Sequence, residues 1–294
     1  MKGAHALEAL LVGGAFAGLG ALSWPAALRV GAALGDGVRA IGIRREVARR
    51  NLALAFPERT VAEREHVLAL HYRELGRIAA EYGRLPALVH AGDGEVIDGI
   101  ENADAMRPLV GRGALLLTGH FGNFELLGAS LSRFNPVDFV VQPLSNPAVG
   151  ARIERLRRAA GVGTITTHGG IKSVFRALRA GRWVAFLADQ DARRHGVFVP
   201  FFGRLASTPA GPARLSLASG APLLLGFGHR QPDGRHRLVI EPPRWPEGGS
   251  DEANVRALTA WHVARLEANV RRAPEHWFWL HRRWKTAPPA ASAR

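Results

Sequence analysis

Five short runs limit what this chain can fold into: ALLLT at 114–118, VDFVVQ at 137–142, VGTIT at 162–166, WVAFLAD at 183–189 and APLLLGF at 221–227. Their apolar residues fall on both faces, so each run needs cover on both sides. Helical patterns at 122–133, 147–160, 170–180 and 209–219 separate them. Strands alternating with helices and buried on two faces predict an α/β fold, a largely parallel central sheet flanked by helices. HRLVI at 236–240 alternates apolar with polar and predicts an edge strand. RREVARRNLALAF at 44–56 reads as a basic helix stopped by Pro57. Thr60 and Glu63 form a capping box that opens an amphipathic helix running to about Leu85, where Pro86 ends it. A long helix over about 251–272 precedes an aromatic and basic segment, PEHWFWLHRRWK, at 274–285. No repeat or low-complexity linker interrupts the pattern, so residues 35–294 are expected to form one α/β domain behind an arm at 1–34.

From Ala9 to Leu28 no residue is charged, and twenty helical residues span roughly the 30 Å of a bilayer's hydrocarbon core. Four glycines, Pro25 and the preceding Glu8 weaken the segment as a spanning helix, which leaves an anchor, an interfacial or buried helix, and a signal peptide as readings. Arg29, Arg39, Arg44, Arg45, Arg49 and Arg50 follow the run and only Lys2 precedes it, so an anchored chain keeps its bulk in the cytoplasm. The chain carries 39 basic and 25 acidic side chains, a net charge of +14, and therefore suits anionic partners. It has no cysteine, which excludes a thiol nucleophile and thiolate zinc sites. There is no G-x-S-x-G elbow, P-loop or dinucleotide fingerprint, so neither a covalent serine mechanism nor nucleotide chemistry is expected.

Reactive groups of open α/β sheets lie where strands end at their carboxyl edge. TGHFGNFE at 118–125 places His120 just past a strand and Glu125 in the first turn of the next helix, where the helix dipole favours a carboxylate. A carboxylate beside an imidazole sets its tautomer and makes it a general base. A turn histidine followed by a helix-start glutamate is the plain structural alternative, and no metal-binding histidine pattern accompanies the pair. DQDARRHGVFVPFFG puts Asp189 and Asp191 at a strand end, followed by Arg193 and Arg194. It forms either a site wall, with the acids orienting arginines and Phe198, Phe201 and Phe202 lining an apolar slot, or a salt-bridged loop over the core. Arg152, Arg155, Arg157 and Arg158 do not share a helix face and read mostly as solvated. Ser207 and Thr208 before Pro209 resemble a helix cap. Trp277, Trp279 and Trp284, interleaved with His281, Arg282, Arg283 and Lys285, suit lipid headgroups or a core, with nucleic acid a weaker option.

GHFGNFE resembles the His-x4-Asp/Glu motif of the glycerophospholipid acyltransferase superfamily. RREVARRNLALAFPE at 44–58, GRGALLLTGHFGNFELLG at 111–128, ADQDARRHGVFVPFFGRLASTP at 188–209, SGAPLL at 219–224 and PEHWFWLHRRWK at 274–285 narrow the resemblance to the bacterial lipid A biosynthesis acyltransferases, the lauroyl/myristoyl transferase family. The resemblance implies transfer of a fatty acyl chain from acyl carrier protein to a hydroxyl of a lipid A precursor or other anionic glycolipid, without a cofactor or metal. It implies an enzyme at the cytoplasmic face of the inner membrane, with no nucleic-acid partner. In it His120 is the base, Glu125 its partner, and Arg157 a phosphate-binding or site-orienting residue. A lysophospholipid or mannosylated phosphoinositide is the alternative acceptor, and a basic membrane- or nucleic-acid-binding protein the alternative without catalysis.

Overall fold

The computed structural model describes residues 2–91, 94–167 and 170–288. Ten helices occur among them: α1 (Lys2–Ala21), α2 (Trp24–Ile41), α3 (Arg45–Ala55), α4 (Val61–Tyr82), α5 (Leu85–Val89), α6 (Phe124–Leu131), α7 (Pro147–Ala159), α8 (Gly170–Arg179), α9 (Gly211–Ser219) and α10 (Glu252–Arg272). The strands are β1 (Ile97–Glu101), β2 (Ala114–Thr118), β3 (Val137–Val141), β4 (Val162–Thr166), β5 (Trp183–Leu187), β6 (Val197–Phe201), β7 (Arg204–Thr208), β8 (Leu223–Arg230) and β9 (His236–Ile240). A seven-stranded sheet has the order β1-β9-β8-β2-β5-β3-β4, and β6 and β7 form a separate hairpin. Only the β8–β9 pair of the large sheet is antiparallel.

Alternate residues of the central strands enter two cores. Leu115, Leu117, Val184, Leu223 and Leu225 belong to one, and Leu116, Trp183 and Leu224 to the other. Double-sided burial is what the continuous apolar runs require. β9 is not an edge: β1, which the sequence pattern did not reveal, pairs parallel to it and covers its outer side. The capping box of α4 is present in full, but the helix ends at Tyr82, and Pro86 instead occupies the opening turn of α5. Pro fits there because its missing N–H would be unpaired in any case.

The uncharged run 9–28 is split. α1 stops at Ala21, and α2 begins at Trp24 with Pro25 in its first turn. Among the described residues no helix is long and apolar enough to cross a membrane. α2 buries Ala27, Leu28, Gly31 and Gly35 and packs on α4. α1 contacts α4 and α7: Phe16 stacks on Tyr82, Asn146 Nδ2 donates to Glu8 at 2.8 Å, and Arg84 donates to the Leu19 carbonyl. α4 is tied to the sheet by a buried network in which Glu81 accepts from Arg230 and Asn123, lies 3.1 Å from His236 Nε2, and Glu74 shares Arg230. The two carboxylates keep this guanidinium charged against the cost of burial.

Candidate active site

β2 and β5 are parallel neighbours with Thr118 opposite Leu187. His120 and Asp189 each lie two residues beyond that pair, so the register brings them together. His120 Nδ1 is 2.7 Å from Asp189 Oδ1, and the His120 backbone N–H donates to Asp189 Oδ2 at 2.7 Å. Trp277 Nε1 donates to the same Oδ2 at 2.8 Å. Burial alone would raise the Asp189 pKa, but the His120 charge and these three donors hold it down to about 2. Burial likewise works against protonating His120, yet the Asp189 charge and hydrogen bond prevail and place the ring's pKa above its ordinary value. The imidazole stays 27% exposed, between the rings of Phe124 and Phe278.

Two glycines make the turn possible. A side chain at Gly119 would put its Cβ 2.8 Å from Asp189 Oδ2, and Gly122 has φ +52° with the Gly228 carbonyl 2.2 Å from where a Cβ would stand. The loop is held from the opposite side by the 274–278 segment, because Gly122 N–H donates to the His276 carbonyl and Phe278 N–H to that of His120. Asn123 caps α6 through the Leu126 N–H and donates to Glu81, so the α4 network fixes the start of the helix.

Glu125 is not the carboxylate bonded to His120. It is 2% exposed and accepts from Tyr82 Oη at 2.7 Å and from Arg157 Nε at 3.0 Å, with a second bond from Arg157 Nη2. The reason is placement: β5 supplies a carboxylate at the imidazole, while the first turn of α6 meets α4 and the last turn of α7. Burial and then the Glu125 charge raise the Tyr82 pKa, which keeps the phenol protonated as a donor, and against the cost of burial Glu125 holds Arg157 charged. Arg157 lies 5.5 Å over the Phe139 ring and borders a small, mostly apolar, partly open pocket of about 50 Å³ lined also by Thr118, Phe124, Leu127 and Phe186.

The remaining expected site residues sit elsewhere. Asp191 accepts from Thr286 Oγ1 at 2.9 Å, so Asp189 and Asp191 engage His120, Trp277 and Thr286 instead of orienting arginines. Arg194 is exposed in the turn after β5. Phe201 and Phe202 do not line a slot: the β6–β7 hairpin carries them into the core, with Phe201 against Trp277 and Trp284, and Phe202 against Phe56 and under Arg271. Ser207 and Thr208 are in β7, where Ser207 Oγ donates to the Arg193 carbonyl and Thr208 Oγ1 accepts from Arg283, so neither caps a helix. Trp277, Trp279 and Arg283 are buried, which gives the core reading for most of the 274–285 segment, and burial pushes the Arg283 guanidinium down to about 10. Arg155 and Arg158 are exposed, with Arg158 paired to Glu154.

Sequence reasoning did not bring Tyr82, Asn123 or Gln190 to the site and gave Trp277 to lipid or core, whereas Tyr82 bonds Glu125, Gln190 Nε2 lies 3.3 Å from His120 Nε2 and Trp277 bonds Asp189. Asn123 had a signal, since asparagine before a helix start is a common cap. Among the described residues no group of three histidine or carboxylate side chains is placed to hold a metal ion.

His120 thus stands at the sheet's carboxyl edge, bonded to a buried carboxylate, and comparison with known proteins places the chain among acyltransferases. It belongs to the family described as bacterial lipid A biosynthesis acyltransferase, whose model matches residues 4–286. It is 31% identical over 282 residues to the lipid A biosynthesis lauroyltransferase of Escherichia coli K12, covering 93% of this chain and 90% of that protein. The palmitoleoyltransferase of the same organism is 31% identical over 281 residues, 92% of this chain and 89% of its own. A phosphatidylinositol mannoside acyltransferase of Mycolicibacterium smegmatis is 29% identical over 245 residues, 81% and 79% of the two chains.

Proposed function

We propose that this enzyme transfers a fatty acyl group from acyl carrier protein to a hydroxyl of a lipid A precursor, with His120 as the general base and Asp189 as the carboxylate that sets its tautomer. The observation that carries the reading is the 2.7 Å contact of His120 Nδ1 with a buried, ionised Asp189, which leaves Nε2 as the proton acceptor at the open end of the sheet. Glu125 then acts through Arg157, holding the guanidinium beside the mostly apolar pocket, where it can meet an anionic group of donor or acceptor. The net charge of +14 suits an acidic carrier protein and a phosphorylated acceptor. The kinship with a phosphatidylinositol mannoside acyltransferase supports a second reading, in which the acceptor is a mannosylated phosphoinositide. Purified enzyme offered acyl carrier protein thioester with each acceptor in turn separates the two, because mass spectrometry of the lipids shows which one gains an acyl chain. Failure to acylate the lipid A precursor while acylating the other would overturn the first reading.

The same proposal puts the enzyme on the cytoplasmic face of the inner membrane through its helical arm. Leu7, Leu10 and Leu11 of α1 are exposed, and so is a stripe of Val30, Leu34, Val38 and Ile41 on α2, alongside the face packed on α4. Exposed apolar stripes of this kind suit a helix lying in a lipid interface. Each such side chain contributes about 1.5–3 kcal/mol when fully withdrawn from water, so Leu10→Gln, Leu34→Gln and Ile41→Gln together should weaken vesicle binding by about a hundredfold even at half insertion. Co-sedimentation with phosphatidylethanolamine–phosphatidylglycerol vesicles measures this, and undiminished binding would move the contact elsewhere. Removing residues 1–28 outright is a poorer test, because Phe16 supports Tyr82 and through it Glu125.

A further inference from the structure

Gln190 stands between two anchored carboxylates. Asp189 is fixed by His120 and Trp277. Asp191 is fixed at its N–H, which donates to His281 Nε2 at 2.9 Å, and at its carboxylate, which accepts from Thr286. The backbone is therefore held on both sides of Gln190, and the half-buried side-chain amide places its Nε2 3.3 Å from His120 Nε2. In the neutral ring, the form that can act as a base, ionised Asp189 keeps the one proton on Nδ1, so His120 Nε2 presents a lone pair and only the NH₂ end of the amide complements it. That lone pair is also where a substrate hydroxyl must dock to give up its proton. A hydroxyl that does so displaces the amide and leaves its N–H donors beside the carbonyl under attack.

We propose that Gln190 is a catalytic residue whose side-chain amide donates to the oxyanion formed from the acyl carbonyl, an inference that rests on the acyl-transfer reading. In the first step the acceptor oxygen bonds to the thioester carbon while its proton passes to His120 Nε2, and the carbonyl electron pair moves onto the oxygen that Gln190 stabilises. In the second the carbon–sulfur bond breaks, the carbonyl re-forms, and the leaving thiolate takes the proton from Nε2. A donor aimed at charge that appears only in the transition state raises kcat without tightening substrate binding.

The test is steady-state kinetics of full-length Gln190→Ala and Gln190→Glu with an acyl carrier protein thioester and a lipid A precursor, alongside thermal melting. Glutamate keeps the shape of the side chain but removes the donor. Both variants should melt like the wild type and lose about 10²–10³-fold in kcat, with KM for both substrates unchanged. The acid limb of the pH profile should stay in place in the alanine variant. Near wild-type kcat in either variant would overturn the proposal, as would a loss carried by KM. So would a shift of the acid limb in the alanine variant with recovery at another pH, which would make Gln190 a positioning residue for His120. Retained kcat in these variants together with inactivity of His120→Ala would overturn the Gln190 assignment alone. The same kcat losses on a different acceptor would overturn the acceptor and uphold Gln190.

Discussion

His120→Ala should abolish measurable acyl transfer while the protein still folds. A positioned base contributes about 10²–10⁴-fold, and the groups bonded to His120 do not replace it, since Gln190 ends in an amide and Asp189 stays held by the backbone N–H of residue 120 and the Trp277 indole. The loop itself does not depend on the imidazole. Its backbone is held by the Phe278 and Gly122 hydrogen bonds and by the Asn123 cap, none of which involves the ring. The expected signature is therefore lost kcat with a melting temperature close to that of the wild type and undisturbed vesicle binding. Turnover near the wild-type rate would remove His120 from the mechanism.

Asp189→Asn should be nearly as damaging, for a reason specific to its three partners. The His120 backbone N–H and the Trp277 indole both donate to one carboxylate oxygen, so an asparagine must leave its carbonyl oxygen there. Its NH₂ then faces Nδ1 and forces the ring proton onto Nε2, the nitrogen that should be accepting one. Fixing the wrong tautomer in this way costs on the order of 10⁴-fold in the serine protease triad. The wild-type pH profile should show an acid limb above the ordinary imidazole pKa, since His120 must be neutral to act and Asp189 favours its charged form. In the asparagine variant burial is no longer opposed by a carboxylate, so the ring's pKa should fall below its ordinary value, which NMR titration of the imidazole can follow. Glu125→Gln should leave that pKa in place and act through Arg157 instead, reducing kcat/KM by less than Asp189→Asn. A displaced imidazole pKa in Glu125→Gln, with none in Asp189→Asn, would restore Glu125 as the partner of the base.

The strand-helix alternation was readable because apolar runs and helix periodicity are local properties of the chain. ALLLT became β2 and VGTIT became β4 with their expected bounds, and the long helix after Asp251 begins at the next residue. β1 and the β6–β7 hairpin were not readable in the same way. IDGIE has too few apolar residues to announce a strand, and VFVPFFG carries a proline and a glycine that read as a turn. The uncharged run at 9–28 looked continuous because hydropathy averages over Ser23 and Pro25, whereas the backbone divides there.

Local pattern alone makes the chain α/β, puts His120 at a strand's carboxyl end and Glu125 in the first turn of a helix, and sets an aspartate-rich segment after a second buried strand. Each depends on neighbours within a few residues. The folded chain settles which carboxylate the imidazole meets, because that follows from strand order. β2 pairs with β5 at a sequence separation of 69, and equal offsets past Thr118 and Leu187 then set Asp189 against His120. It likewise decided that Phe201, Phe202, Trp277 and Trp279 are core, since a hairpin and a segment remote in sequence close over one another and bury their rings together. Spacing along a chain can place a group at the end of its own strand, but its partner is chosen by which strand lies alongside, and sheet order is a non-local outcome of packing both faces at once.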